Sequence, residues 1–387
     1  MKNPKIYLAI DNCFASKRYT EPCEWAKVIK NLGLYYVEAS ADNECDPLYM
    51  GKDYMTDWSK KVNDAYKNTN VKVNNLYSGH GTYATLGLAH TDKRVRERFL
   101  NEWLKPMIDT AVSVDAGLGF FCHAFSDSVL QDSERYYEFS ENLTNDLAEL
   151  SAYAKEKGCR AIGVEQMYSP HQVPWTVDGT KKLLSDIYKK SNAPFYITVD
   201  VGHQSGQRRF VRPTREEIKS AHKQYKNGDF VPTLWLGRIS AFEIFENADE
   251  MNEETLDRIE CDMDAHPYMF APYEDGDPYK WLSELGCYSP IVHLQQTNGI
   301  SSSHLPFNAE CNSKGIIEGG KVINALKAAY SRSEDCNMPP MCDEITLTLE
   351  MFTGTADINR AALNRLTESV KYWREFIPKD GVNLFDL

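Results

Sequence analysis

Four short segments that read as strands each stop at a residue able to hold a divalent metal ion. They are Ala161-Ile162-Gly163-Val164-Glu165, Phe195-Tyr196-Ile197-Thr198-Val199-Asp200, Pro290-Ile291-Val292-His293 and Ile345-Thr346-Leu347-Thr348-Leu349-Glu350. Each is an apolar or β-branched run closed by a carboxylate or an imidazole. A closed barrel of parallel strands puts all such ends on one face, so four residues distant in sequence can meet at one ion. A single carboxylate at a strand end is often a helix N-cap or an ion-pair partner. Four such ends on consecutive strands, with His203 three residues after Asp200, point to a metal centre instead.

The rest of the chain has the rhythm that such a barrel requires. Strand-like runs lie at 5–11, 35–39, 72–77, 117–123, 161–166, 195–200, 290–295 and 344–352, eight in all. Between them, segments such as 23–32, 92–112, 133–157 and 177–190 carry helical periodicity. Eight strand–helix repeats predict an α/β fold, a single (β/α)8 TIM barrel that spans 1–387 as one domain. No Gly-x-Gly-x-x-Gly follows the first strand, which disfavours a doubly wound dinucleotide-binding sheet.

One interval breaks the rhythm. About ninety residues separate Asp200 from His293, where a βα unit needs far fewer. The interval holds a helix start, Pro213-Thr214-Arg215-Glu216-Glu217, and an acidic run over 246–257. Residues 204–285 therefore read as a long insertion between strands 6 and 7 on the catalytic face, serving as a lid or an oligomer contact.

A formal net charge of −13 argues against a nucleic-acid partner, because phosphate neutralisation needs basic surface. Ten cysteines without a CxxC pair suit a pool of free thiols in a reducing compartment. The opening Met1-Lys2-Asn3-Pro4 leads straight into a strand-like run, and no stretch is apolar enough for a bilayer. A cytoplasmic protein with no membrane partner is expected.

Glu165, Asp200, His293 and Glu350 offer three carboxylates and one imidazole. This donor set suits one divalent ion, Mn²⁺, Mg²⁺ or Co²⁺, and Zn²⁺ is compatible with it. With all three carboxylates ionised, ion and ligands together carry one negative charge, which still admits the neutral oxygens of a diol or keto-alcohol. His203 would sit just above the ion and hydrogen-bond a substrate oxygen.

These residues carry a family likeness. Glu165, Asp200-Val201-Gly202-His203, His293-Leu294-Gln295-Gln296-Thr297-Asn298 and Glu350 resemble the metal-binding segments of xylose-isomerase-like barrels, most nearly the ketose 3-epimerase branch of D-tagatose 3-epimerase. The resemblance implies a (β/α)8 barrel, a Glu-Asp-His-Glu metal site, Glu165 and Glu350 as acid and base, and a homo-oligomer, dimer or tetramer. It also implies that His203 and Gln295 touch substrate. A narrower likeness links 9–18, 38–46 and 76–84 to bacterial erythrulose-1-phosphate 3-epimerases of erythritol catabolism. Two departures from the tagatose-epimerase pattern bear on the substrate. Gly299 stands where that branch has a substrate-binding Arg, and His171 stands near the place of a substrate-binding Glu.

The chemistry implied is proton abstraction next to a carbonyl, an enediolate, and proton return from the opposite face. Two carboxylates on opposite sides of the ion meet that requirement. A sugar phosphate needs cations or N–H donors as well. Three loops on the catalytic face offer them: Lys17 and Arg18; Arg208, Arg209, Arg212 and Arg215; and Ser301-Ser302-Ser303-His304. Arg212 and Arg215 equally suit a plain helix start. His80 and His123 end strands three and four and face either the pocket or the core. Trp25, Trp103 and Phe121 read as core or pocket wall, and no histidine pairing supports Cys13 or Cys122 as a nucleophile.

The leading expectation is a divalent-metal-dependent 3-epimerase that interconverts L- and D-erythrulose 1-phosphate. An epimerase or aldose–ketose isomerase of a free sugar would use the same ligands, as would a lyase or dehydratase. A non-catalytic sugar-binding protein would not need two carboxylates flanking an ion. Nucleases of this fold need several zinc ions and a basic groove.

Overall fold

The computed structural model describes residues 2–78, 86–122, 124–354 and 356–387. Eight parallel strands form its centre: β1 (Lys5–Asp11), β2 (Tyr36–Ser40), β3 (Lys72–Ser78), β4 (Gly117–Phe120), β5 (Ile162–Glu165), β6 (Tyr196–Asp200), β7 (Ile291–Leu294) and β8 (Glu344–Leu349). They pair in sequence order, β8 then pairs with β1, and β1 pairs with β2 to close the ring. This is the TIM barrel that strand–helix alternation predicts. Register matters at the mouth, where Asp200 of β6 lies directly beside His293 of β7.

The observed strands differ from the sequence reading mainly at their ends. β4 stops at Phe120 and β8 at Leu349, although Glu350 continues the ladder by donating its N–H to the Leu294 carbonyl at 3.0 Å. A short β9 (Val382–Asn383) adds antiparallel to β1 and was not expected. Two residues carry no alternation to read. The continuous helix expected over 92–112 is three pieces, Lys93–Arg98, a π-helical turn at Phe99–Leu104, and Lys105–Ser113. Pro106 explains the break, since it has no N–H for the helical ladder and its ring crowds the preceding turn.

Between β6 and β7 lie helices Arg215–Lys226, Ile239–Asn247 and Glu253–Ala265. They pack around a small apolar cluster that includes Ile218, Phe245, Leu256 and Ile259. Thr214 caps the first helix and Glu217 completes a capping box, as the helix-start signature predicts. The acidic run is matched by cations from the facing helix. Arg215 reaches Glu253, Asp257 and Glu260 at 2.6, 2.6 and 2.5 Å, and Arg212 pairs with Asp264. Both arginines therefore serve helix packing, the plainer of their two sequence readings. Among the described residues, no helix is long and apolar enough to cross a membrane.

One buried carboxylate ties the barrel mouth to its outer helices. Glu44 accepts from the Trp25 indole at 3.1 Å, the Trp58 indole at 2.9 Å and the Asn12 amide. Asn12 follows β1 and in turn accepts from the Ser40 N–H at the end of β2, at 2.7 Å. Trp25 and Trp103 are core residues, the latter donating to Asp46 at 2.9 Å. Glu44→Ala would leave three buried donors without an acceptor, at a cost of about 3 kcal/mol. Urea unfolding of this variant is expected to show that loss; a shift below about 1 kcal/mol would contradict the assignment.

Candidate metal centre

The barrel's register brings the four strand-end residues together. Glu165, Asp200, His293 and Glu350 are all buried, and each offers one ligand atom such that these atoms lie within 4.8 Å of one another. The Nδ1 of His293 lies 2.9 Å from Glu165 and 3.4 Å from Glu350. Its Nε2–H donates to Glu38 at 2.7 Å. Glu38 is on β2, and its other oxygen accepts from the Asn75 amide at 2.7 Å. A carboxylate behind the imidazole fixes the ring and its tautomer, leaving Nδ1 to face the other three ligands. The Tyr77 hydroxyl, from β3, donates to the second oxygen of Glu165, and its ring meets His293 edge-on at 4.9 Å.

Electrostatics at this mouth are strained in a way that a cation relieves. Burial, together with the carboxylates of Asp200 and Glu165, pushes Glu350 well above the ordinary carboxylate range despite the pull of His293. Burial also raises Asp11, at the end of β1, with Glu350 adding to the effect. For Asp200 burial acts upward too, but His203 and His304 outweigh it and hold the group low. Burial would lower His293, yet Glu350 and Glu38 raise it well above its usual value. Oxygens of Glu350 and Asp11 are buried without a hydrogen-bond partner among the described residues. Three carboxylates, one imidazole and unpartnered oxygens form a donor set that fits a divalent ion.

The model of the xylose isomerase-like TIM barrel family matches residues 26–264. The chain belongs to that family. Among curated proteins it is similar to the D-erythrulose 1-phosphate 3-epimerase of Brucella abortus (strain 2308), 30% identical over 124 residues. That alignment covers 32% of this chain and 37% of the relative, so the chain spans little more than a third of the relative's length. A solved structure from Rhodospirillum rubrum ATCC 11170, provisionally named a xylose isomerase, matches with a TM-score of 0.67 at 17% identity. It covers 96% of this chain and 99% of the other. An L-ribulose 3-epimerase matches with a TM-score of 0.53 at 13% identity, covering 98% and 94%. The IOLI protein with a bound zinc atom gives 0.51 at 12%, covering 96% and 99%. At these identities the solved structures speak for the xylose isomerase-like barrel as a fold.

The other residues singled out in the sequence fall into different surroundings. His203 donates Nδ1–H to the Gln166 carbonyl at 2.7 Å, and its Nε2 lies 3.9 Å from Asp200. Gln295, expected to touch substrate, is engaged by protein groups. It is fully buried, donates to both oxygens of Asp200 at 2.9 Å, and accepts from the Ser303 and His304 N–H groups at 2.9 and 2.7 Å. Its amide is spent on holding Asp200 and the loop after β7. Ser302 hydrogen-bonds Gln295 at 2.9 Å. Arg18 binds Asn359 and Thr353 at 2.8 and 3.1 Å and three carbonyls, tying the β1 loop to the segment after β8. Lys17 is exposed in the same turn with φ 65°. Arg208 reaches the Gly276 and Gly299 carbonyls at 3.0 and 3.4 Å, and Arg209 the Ile300 carbonyl at 3.4 Å. His171 Nδ1 meets the Phe125 carbonyl at 2.9 Å. His80 and His123 lie outside the described residues.

Sequence reasoning missed Glu38, Tyr77 and Asp11, and placed His304 in a candidate anion-binding loop rather than beside Glu350. Asp11 closes an apolar strand just as the four ligands do, so the same signal was present. His304 has a left-handed backbone with φ 44°, stacks on Phe352 at 3.9 Å, and lies 3.4 Å from Glu350. Nothing in a Ser-Ser-Ser-His run announces that geometry. The support from β2 makes a prediction: Glu38→Gln should weaken Mn²⁺ affinity about 10- to 100-fold by calorimetry. Unaltered affinity would show that Glu38 does not hold His293 for an ion.

Proposed function

We propose that the chain is a divalent-metal-dependent 3-epimerase of a ketose phosphate, interconverting D- and L-erythrulose 1-phosphate. The observation that carries this reading is the pair of buried glutamates on non-adjacent strands. Glu165 ends β5 and Glu350 follows β8, with Asp200 and His293 between them in strand order. Epimerisation needs one group to remove a proton and another, on the opposite face, to return one. Glu165 and Glu350 supply that pair. The Tyr77 hydroxyl orients Glu165 through one oxygen, while one oxygen of Glu350 has no hydrogen-bond partner among the described residues and lies 3.4 Å from the Nδ1 of both His293 and His304. In the proposed reaction one glutamate takes the proton from C3 to give an enediolate, and the other protonates the opposite face.

Glu165, Asp200, His293 and Glu350 would hold the ion, Mn²⁺, Mg²⁺ or Co²⁺, with Zn²⁺ also compatible with one imidazole among oxygens. When bound, it supplies Lewis-acid polarisation of the substrate carbonyl. His203 contributes a hydrogen bond to a substrate oxygen from beside Asp200. The named similarity to a Brucella erythrulose-phosphate epimerase supports the substrate. The same reading carries a cytoplasmic homo-oligomer without nucleic-acid or membrane partners.

Proton NMR of enantiopure erythrulose 1-phosphate in D2O tests the proposal. Deuterium should enter at C3 with Mn²⁺ or Mg²⁺ present, optical activity should decay, and EDTA should stop both. Exchange at C3 of free ketohexoses alone would discard the phosphate, and no exchange with either would discard the epimerase. Glu350→Gln should cut the interconversion at least 100-fold, the upper range of one general acid/base contribution being about 10⁴. Retained epimerisation in that variant with metal bound would remove Glu350 from the role.

A further inference from the structure

A pocket of about 290 Å³ opens beside the candidate metal centre. Among the described residues its lining carries four serine hydroxyls, the Tyr168 ring, His203 and the Arg209 guanidinium, and no carboxylate. That composition stands out in a chain of net charge −13 and next to a mouth crowded with acids. The Arg209 guanidinium on a wall without carboxylates, with serine hydroxyls at its edge, favours a negatively charged group.

The pocket and the metal centre share a boundary. His203 lines the pocket and has Nε2 3.9 Å from Asp200. Ser302 lines it too and hydrogen-bonds Gln295, which holds both Asp200 oxygens. A ligand with its reacting carbon at the four-ligand cluster and its anion in the pocket must have these parts close together. In a 2-ketose 1-phosphate three atoms, C2, C1 and one oxygen, separate the reacting C3 from phosphorus.

Other cations of the mouth are engaged elsewhere. Arg18 joins the β1 loop to the segment after β8 through five hydrogen bonds. Arg208 is drawn to the Gly276 and Gly299 carbonyls, and a side chain at Gly299 would meet its guanidinium at 3.2 Å. Arg212 and Arg215 pair with acids between the helices. Among the described residues, Arg209 makes one long hydrogen bond, 3.4 Å to the Ile300 carbonyl, and it lines the pocket.

We propose that this pocket is a phosphate subsite and that Arg209 is the cation that sets preference for a short 2-ketose 1-phosphate over the free ketose. The sugar's identity rests on the epimerase reading, whereas the anion site rests on the pocket alone. The test is calorimetric titration of the full-length chain, in Mn²⁺, with erythrulose 1-phosphate and with free erythrulose. Wild type should prefer the phosphorylated sugar, and Arg209→Ala should lower the ratio of the two affinities at least tenfold. Arg209→Lys should restore part of the preference, and Arg212→Ala, outside the pocket, should leave the ratio unchanged. Absence of a preference in wild type, or an unchanged ratio in Arg209→Ala, would overturn the subsite. Epimerisation is read separately by deuterium exchange. Exchange on free erythrulose without phosphate preference sinks the subsite alone, and phosphate preference without exchange sinks the epimerase alone.

Discussion

Carboxylates buried side by side repel one another, and this chain gathers five of them at one end of its barrel. Asp11, Glu38, Glu165, Asp200 and Glu350 surround His293, all buried. Burying even one unpaired carboxylate is costly, so such a cluster persists only where protons, hydrogen bonds or a cation compensate. The chain uses the first two visibly. Glu38 is held by Asn75 and His293, Glu165 by Tyr77 and His293, and Asp200 by Gln295. Glu350 and Asp11, raised by burial, each keep an oxygen without a hydrogen-bond partner among the described residues. A divalent ion would supply the missing charge, which is why the mouth reads as a candidate metal centre rather than as an ion-pair network.

Much else in the fold serves to hold that cluster in place. Pairing of β6 with β7 sets Asp200 beside His293, and closure of β8 onto β1 brings Glu350 near Asp11. Outside the ring, the Glu44–Asn12 contact fixes the ends of β1 and β2 to the tryptophans of the outer helices. Around the rim, charges are segregated. Acids converge on the barrel axis, the cations of the β6–β7 segment mostly neutralise their own helices, and Arg209 faces an acid-free pocket. A polar substrate with one anionic end matches this division.

The sequence revealed the barrel and the four strand-end residues for the same reason. An apolar strand that stops at a charged residue reports both the end of burial and the start of the functional face. Glu38 was hidden because it sits mid-strand, two residues before the end of β2, and Tyr77 because a tyrosine in a strand passes for core. The protein contacts of Gln295 were not legible because they are long-range. Its amide is consumed by Asp200 and by the loop after β7, a pairing no local pattern encodes. Arg215 and the acidic run could each be read alone, but not their match across two helices.

The most direct measurement of the central claim is anomalous diffraction at the manganese edge from crystals grown with Mn²⁺. The account predicts one strong peak bounded by Glu165, Asp200, Glu350 and the Nδ1 of His293, with Glu38 behind the ring and outside contact with the ion. An empty cluster, or a peak that recruits Glu38 or Asp11 in place of one of the four, would contradict it.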